Sequence, residues 1–232
     1  VEGGAVVDIH PPPPPPIPTY DNAMFVISLK NMIDFSDTRE EKQKWEKMKD
    51  QVAKNILTYL WDSKRNKFIP HLYINDSPFP ADFDENNIHF HGGTAVAIEA
   101  GLLSKKEIAA VNRQMQENVK LSGAPSIGLT IYPPYPEGII KGSKSSKPYI
   151  YQNGGDWTWF GGRMIQQLIA NGFVNEAYDE IRPMIDRVIA NNKFYEWYDI
   201  KGKPRGSGDF RGEAGVLAKS VKMLREWAQK NN

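Results

Sequence analysis

The sequence of 232 residues contains no cysteine. This excludes disulfides, thiolate nucleophiles and cysteine-bound zinc or iron–sulfur centres, but it suits the cytoplasm and the periplasm equally well. The sequence also lacks a run of about 18 apolar residues, so no membrane-spanning helix is predicted. Its 29 basic and 28 acidic residues leave a net charge of +1. Charge therefore gives no reason to expect nucleic acid or an anionic membrane as a partner.

Several catalytic motifs are missing as well. There is no Gly-x-x-x-x-Gly-Lys-Ser/Thr, no Gly-x-Ser-x-Gly and no His-Glu-x-x-His. Nucleotide hydrolysis, serine esterase and zinc protease activities therefore have no support, and no cofactor is predicted. Strand and helix patterns do not alternate along the chain, which argues against a parallel α/β fold.

Proline is concentrated near the start of the chain, where His10 is followed by Pro11 to Pro16. Such a run is an extended polyproline segment, because each ring fixes φ and removes a hydrogen-bond donor. It is either a stiff linker or a strap across a surface. We therefore divide the chain into an extended segment, residues 1–19, and a helical domain, residues 20–232. The first residue is Val1, and we expect a processed or trimmed product with further residues upstream.

From residue 20 onward, apolar residues recur at spacings of three and four, which is typical of amphipathic helices. A capping box at Ser104 and Glu107 and a stop at Gly101 mark two of the boundaries. Most helices pair into hairpins. We predict an all-α fold of hairpins in a solenoid or toroid, with long aromatic loops and short extended pieces on one face. The predicted helices are residues 21–33, 38–60, 94–100, 104–119, 157–170, 175–189 and 212–229.

Two loops in the last third of the chain place carboxylates among aromatic rings, at residues 151–159 and 194–199. This combination suits a pyranose sugar, because ring faces stack on Trp and Tyr while hydroxyls bind amides and carboxylates. We predict a carbohydrate-binding site. Its candidate substrate-binding residues are Tyr151, Gln152, Asn153, Trp157, Trp159, Tyr195, Trp197, His89, His91 and Tyr132.

Glu196 and Asp156 are the candidate catalytic residues. An inverting glycosidase needs a protonated carboxyl group and an ionised one, roughly 6.5 to 9.5 Å apart. Glu196 lies between Tyr195 and Trp197 and is the candidate general base; the alternative is a solvated loop glutamate. Asp156 is the candidate acid or a ligand of sugar hydroxyls. Its alternative role is that of a helix cap before Trp157.

Other polar residues favour structural roles. Asp209 and Glu213 flank Arg211 at the start of the last helix, where capping or pairing explains them. His89 and His91 are spaced to face the same way in an extended segment, and a zinc site would need a third ligand such as Asp84. Sugar binding or loop packing explains the two histidines better, so no metal site is predicted.

The order of these segments resembles the six-hairpin, or (α/α)6-barrel, glycosidases of the glycogen-debranching and processing α-glucosidase type. The resemblance runs from Tyr20 to Trp227. In this family an Asn-Ala pair follows the active-site loop, a Leu-Trp-Asp segment ends a helix, two loops line the sugar pocket, and a later stretch carries the catalytic base. The matching segments here are residues 20–24, 56–68, 128–134, 151–157, 194–198 and 210–215.

The sequence predicts about seven helices, whereas a complete barrel of this family has twelve. The resemblance therefore implies that this chain is the C-terminal half of a barrel. An N-terminal half on a longer chain is then an expected partner. The family's general acid precedes the Asn-Ala helix, near Asp8 and Asp21, and its signature is missing here. The resemblance implies an inverting hydrolase of an oligosaccharide or glycan, with Glu196 as its base.

Two alternatives stay open. A phosphorylase or a polysaccharide lyase on the same fold would need cations for its anionic substrate, and a non-catalytic carbohydrate-binding fragment would need no acid. The cations near the predicted site are Arg163, Arg205, Arg211 and Lys203.

Overall fold

A computed structural model describes residues 17–74, 76–140 and 145–231. Asp8 and the run Pro11 to Pro16 lie outside the described residues, and so does most of the predicted extended segment. The described part contains seven α-helices, which confirms the all-α fold and each predicted helix. They are α1 (Thr19–Phe35), α2 (Arg39–Tyr59), α3 (His91–Glu99), α4 (Lys105–Ser122), α5 (Thr158–Ala170), α6 (Val174–Asn191) and α7 (Arg211–Asn231).

The helices form two layers. In the inner layer α1 packs on α3, α3 on α5 and α5 on α7, while α2 packs outside α1 and α6 packs outside α5 and α7. Helix α3 is buried from His91 to Ile98, as expected for a helix that is covered on all sides. Inner and outer helices thus alternate from α1 to α3 and from α5 to α7, which is the arrangement of consecutive helical hairpins.

Local signals in the sequence account for the helix ends. The Ser104 backbone N–H donates to Glu107 Oε2 at 2.8 Å, and the Ser104 hydroxyl accepts from the Glu107 backbone. The Ser104 hydroxyl also donates to Glu107 Oε2 at 2.6 Å. This hydrogen bond and that of the Ser104 backbone N–H stabilise the carboxylate and lower the pKa of Glu107. Helix α4 ends at Gly123, whose φ of 73° is favourable only for a residue without a Cβ.

Two glycines let α5 approach its neighbours closely. A Cβ on Gly162 would lie 2.5 Å from Val216 Cγ1 of α7, and one on Gly161 would lie 2.9 Å from the backbone of Gly128. The Ser220 hydroxyl donates to the Gly162 carbonyl at 3.0 Å. The absence of side chains at these two positions therefore sets how near α7 and the 128 loop lie to α5.

Short antiparallel strand pairs tie down the loops that lead into the inner helices. A small second core, Ile88, Ile131, Tyr135 and Ile140, lies beneath them, apart from the main core between the helices. No helix in the described ranges has the length and apolarity needed to cross a membrane. The strands are β1 (Ile17–Pro18) with β4 (His71–Leu72), β2 (Trp61–Asp62) with β3 (Lys67–Phe68), β5 (His89–Phe90) with β6 (Ile131–Tyr132), and β7 (Trp197–Tyr198) with β8 (Pro204–Arg205).

Candidate active site

The N-terminal ends of the inner helices meet on one face, and we call this face the rim. Tyr20 of α1 packs edge-on against Phe160 of α5, with ring centroids 6.2 Å apart. Phe160 contacts Trp157 at 6.2 Å, and Trp157 contacts Phe210, just before α7, at 6.2 Å. Gly92 of α3 allows the Phe160 ring to lie against the start of that helix. The rim therefore carries a continuous row of aromatic side chains.

Tyr151 extends this row towards the β7–β8 hairpin. Its ring lies edge-on to Trp157 at 5.0 Å and to Trp197 at 6.1 Å. Its φ of 54° places a bulky residue in the left-handed region, at a cost of order 1 kcal/mol or more. The backbone there is held by hydrogen bonds from Gly155 N–H at 2.9 Å and Trp157 Nε1 at 3.3 Å, both to the Tyr151 carbonyl.

Glu196 lies at the open end of the row. Its Oε1 accepts from the Tyr151 hydroxyl at 3.2 Å, and its Oε2 accepts from the Ser207 backbone N–H at 3.3 Å. The Glu196 backbone N–H donates to the Ser207 carbonyl at 2.8 Å. Gly206 packs so closely that a Cβ there would collide with the carboxylate. The side chain is half-buried, so it is held in place and still open to a ligand.

Asp156 is placed differently. It is 1% exposed, and its carboxylate accepts from the Ser126 hydroxyl, which lies 2.8 and 2.7 Å from the two oxygens. Arg187 Nη1 forms an ion pair with Oδ1 at 2.8 Å. The Asp156 backbone exchanges both of its hydrogen bonds with Tyr198, at 2.9 and 2.8 Å. In this conformation the carboxylate cannot touch a substrate, and its catalytic role stays a prediction.

Arg187 joins further groups around this ion pair. Its guanidinium lies over the Tyr198 ring at 4.0 Å, and Nη2 donates to Thr158 Oγ1 at 2.6 Å. The Thr158 backbone N–H donates to Glu213 Oε1 at 2.7 Å. Burial raises the pKa of Glu213 to about 8, although the Arg187 charge opposes the shift. Sequence reasoning missed Arg187 and Ser126, because neither stands in a recognisable motif and both lie about 30 residues from Asp156 along the chain.

Of the remaining aromatic and amide candidates, one is buried and stabilises its loop, and three are partly exposed at the rim. Asn153 is completely buried; its Oδ1 accepts from Tyr135 N–H at 2.7 Å and its Nδ2 donates to nearby carbonyls. Gln152 and Trp159 are half-buried, and Arg163 lies over the Trp159 ring at 5.1 Å. Tyr195 is half-buried and packs edge-on against Tyr198 at 6.2 Å. Asn153 organises its loop, whereas the other three keep a surface towards solvent.

The two histidines occupy different environments. His89 in β5 is half-buried and pairs through its backbone with Tyr132; burial and the Lys67 charge lower its pKa to about 4. His91 is the first residue of α3 and is buried, with the Asn118 amide 2.9 Å from Nε2. Burial lowers its pKa to about 3. The prediction of one extended segment holding both is wrong, because α3 begins at His91. Nowhere in the described ranges do three or more potential ligand side chains converge on a metal position.

A second buried carboxylate lies beneath the loop before α3. Glu85 Oε1 is 2.8 Å from His71 Nδ1, and Oε2 accepts from the Tyr73 hydroxyl at 3.0 Å. The Tyr135 hydroxyl also donates to Oε1. Burial and the Glu85 charge raise the pKa values of Tyr73 and Tyr135. The Glu85 cluster, defined by these four residues, fastens the loop to the small core.

Comparison with known proteins gives the class of the fold. No family model matches the chain, and no curated protein matches it. Among solved structures, the GH63 mannosylglycerate hydrolase from Thermus thermophilus in complex with glucose has a TM-score of 0.62 at 15% identity. The alignment covers 90% of this chain and 47% of that one. The fold is thus that of the six-hairpin (α/α)6 glycosidases.

Two further structures give the same result. The same hydrolase with Tris and D-glycerate has a TM-score of 0.63 at 14% identity, covering 90% of this chain and 45% of its own. An uncharacterized conserved protein from Thermus thermophilus has a TM-score of 0.62 at 15% identity, with 90% and 46% covered. The chain spans about half the length of these structures.

Proposed function

We propose that this chain forms part of an inverting glycoside hydrolase in which Glu196 is the general base. The observation that carries the proposal is the Glu196 carboxylate itself, held at the open end of an aromatic row by the Tyr151 hydroxyl and the Ser207 N–H. Both donors fix the carboxylate while leaving lone pairs free for a water molecule. An oriented carboxylate beside aromatic rings is what water activation at an acetal carbon requires.

The aromatic row supplies the sugar-binding surface. Tyr151 meets Trp157 and Trp197 edge-to-face. The two tryptophans are only 4% and 8% exposed, so the half-buried rings of Tyr151, Trp159 and Tyr195 offer the surface that suits the apolar face of a pyranose. We propose an oligosaccharide or glycan as the substrate class. One of the structural neighbours is a mannosylglycerate hydrolase, so glycosides with short acidic aglycones belong in the first substrate panel.

The arrangement of cations favours hydrolysis over the two related reactions. Arg205 is bound to Asp199 through Nε and Nη2 at 3.2 and 2.9 Å, and Arg163 lies 3.5 Å from Glu99. These two cations are engaged within the chain, which leaves the exposed Lys203 and Arg211 for the phosphate or uronate that a phosphorylase or a lyase must bind. The burial of Asp156 favours the other candidate, a non-catalytic carbohydrate-binding fragment, because it leaves the acid unassigned.

We also propose that further hairpins of the same toroid, on one longer polypeptide, complete the site. Two apolar surfaces at the ends of the helix series support this. One is a groove of about 600 Å³ between α6 and α7, lined by Val188, Leu217 and Val221 among others. The other is a stripe on α1, where Phe25, Met32 and Phe35 are 46%, 42% and 80% exposed. Apolar surfaces of this kind mark packing interfaces.

The test of the function is a substrate screen on the complete natural polypeptide that carries this chain. Glu196→Gln should abolish turnover while ligand affinity stays within about tenfold, since the amide keeps the shape but cannot accept the proton. Glu176→Gln, at an exposed position on α6, is the matched control and should turn over normally. Unchanged turnover in the Glu196 variant would remove this residue from the mechanism. Binding without turnover in the unmodified protein would favour the non-catalytic alternative.

A further inference from the structure

The Glu196 hairpin, β7–β8, rests on a charged group that reaches it from an outer helix. Arg187 lies towards the C-terminal end of α6 and is 8% exposed. Its guanidinium is ion-paired with Asp156 at 2.8 Å, donates to Thr158 at 2.6 Å and covers the Tyr198 ring at 4.0 Å. One side chain thus contacts the segment that leads into α5 and the strand β7.

These contacts converge on Glu196 through two residues of β7. Asp156 and Tyr198 exchange both of their backbone hydrogen bonds, so anchoring Asp156 anchors Tyr198. Tyr198 is two residues from Glu196, and the ring of the intervening Trp197 packs against Gly155 and Tyr151. We infer that Arg187 is the positioning residue of this site: by clamping Asp156, Thr158 and Tyr198 together, it holds the hairpin that presents the Glu196 carboxylate.

The contacts of the Arg187 guanidinium explain why an arginine is needed at this position. Asp156 is 1% exposed and the ion pair with Arg187 neutralises it. The planar guanidinium can pair with a carboxylate, donate to a hydroxyl and stack on a ring at the same time, which an ammonium group cannot. Removing it leaves a buried carboxylate without its counter-charge, and such a change is strongly unfavourable.

Hydrogen exchange on this chain tests the clamp without requiring any enzymatic activity. Arg187→Met removes the charge and keeps an apolar stem. We expect amides of the hairpin and of its partner Asp156 to exchange roughly a hundredfold faster, because a buried carboxylate loses its counter-charge. The backbone bonds that report this are Tyr198 N–H to Asp156 and Glu196 N–H to Ser207, both at 2.8 Å. Helix α4 should keep its protection.

Two companion variants decide the result. Arg182→Met, at an exposed position on the same helix, should leave the hairpin protected, and Arg187→Lys should give intermediate exchange. Hairpin exchange in Arg187→Met equal to that in Arg182→Met would overturn the inference. So would a uniform increase that includes α4, which would show a general stabilising role. If Arg187→Met does not fold, Thr158→Val replaces it, because this variant removes the Oγ1 acceptor of Arg187. Faster exchange of the hairpin amides than in Arg182→Met would then support the inference, and equal exchange would overturn it.

The consequence for catalysis rests on the proposed function, and its test is separate. In the complete polypeptide, Arg187→Lys should lower kcat more than it raises KM and should shift the acidic limb of the pH–rate profile, because that limb reports the base. An unshifted profile together with a mobile hairpin would overturn the link to Glu196. An unmodified protein with no glycosidase activity would refute the proposed function, while the exchange experiment would still decide whether Arg187 holds the hairpin.

Discussion

Asp156 and Glu85 are both buried carboxylates in segments that lead into inner helices, and their partners differ in kind. Asp156 is paired with the permanent cation of Arg187. Glu85 is surrounded by His71, Tyr73 and Tyr135, whose hydrogen bonds need no permanent charge. The charged cluster, defined as Asp156, Arg187, Thr158 and Glu213, contacts the Glu196 hairpin through Tyr198. The Glu85 cluster packs on the small second core. Of these two clusters, the one that buries a permanent ion pair is therefore the one that contacts the hairpin of the proposed catalytic group.

Matched amide substitutions should separate the two clusters most strongly. Asp156→Asn leaves the buried Arg187 charge without its counter-ion and should lower the free energy of unfolding by about 3 to 5 kcal/mol. Glu85→Gln keeps partners that are not permanently charged and should cost about 1 to 3 kcal/mol. Urea unfolding measures both, with exposed Asp179→Asn as control. Equal losses would show that the Arg187 charge does not distinguish the clusters.

The charged cluster should also weaken as pH rises. The pKa of Glu213 is about 8 in the folded protein, against an ordinary value of 4.5 for a solvated glutamate. Between these values the folded protein keeps a proton that the unfolded chain has lost, so the free energy of unfolding falls with increasing pH. Glutamine does not titrate in this range. In Glu213→Gln, the free energy of unfolding measured by urea titration should therefore depend less on pH between about pH 5 and pH 8. Glu180, whose pKa is raised to about 7, contributes the same sign in both proteins. Parallel profiles would contradict the buried, protonated state of Glu213.

Two glycines with similar backbones test whether the space beside Glu196 matters. Gly206 and Gly138 have φ values of 69° and 88°, but only Gly206 lies against a carboxylate; within the described ranges nothing is within 4 Å of a Cβ on Gly138. Alanine at either position should cost about 1 to 2 kcal/mol in unfolding free energy from backbone strain. Only Gly206→Ala should also weaken sugar binding, measured by calorimetry on the complete polypeptide. Equal binding in the two variants would show that the Glu196 carboxylate tolerates displacement.

The smallest expected effects come from removing one hydroxyl in each region. Tyr73→Phe deletes a donor to buried Glu85 and should cost about 1.5 kcal/mol, the lower range for a hydrogen bond to a charged group. Tyr151→Phe deletes the 3.2 Å bond to half-buried Glu196 and should cost under about 1 kcal/mol. Thermal unfolding measures both differences. A larger loss for Tyr151→Phe would indicate that this hydroxyl contributes to the fold as well as to the site.

Much of the helical architecture could be predicted from local sequence. The capping box at Ser104 and the apolar spacing of α7 act within one or two turns, so their effect is visible in the chain itself. The aromatic loops could also be predicted, because Tyr151, Trp157 and Trp197 stand close to carboxylates in the sequence. The roles of Glu196 as base and of the rim aromatics as sugar ligands stay predictions.

The environments of the carboxylates could not be predicted. Asp156 precedes a helix and Glu196 stands in a loop, and sequence alone ranks both as candidates. Their difference arises because Arg187 from α6 and Ser126 from another loop reach Asp156, while only Tyr151 and the backbone of Ser207 hold Glu196 among the hydrogen bonds described. His91 was likewise predicted in an extended segment, whereas α3 begins at this residue and its ring is buried.

The sequence by itself determined the helices, their order and the grouping of aromatic and acidic residues in loops, because propensity, periodicity and capping act over a few residues. The tertiary structure alone decided which carboxylate is buried and paired with Arg187 and which is open. Burial and ion pairing depend on side chains far apart in the chain, which meet only when α5, α6 and α7 pack together.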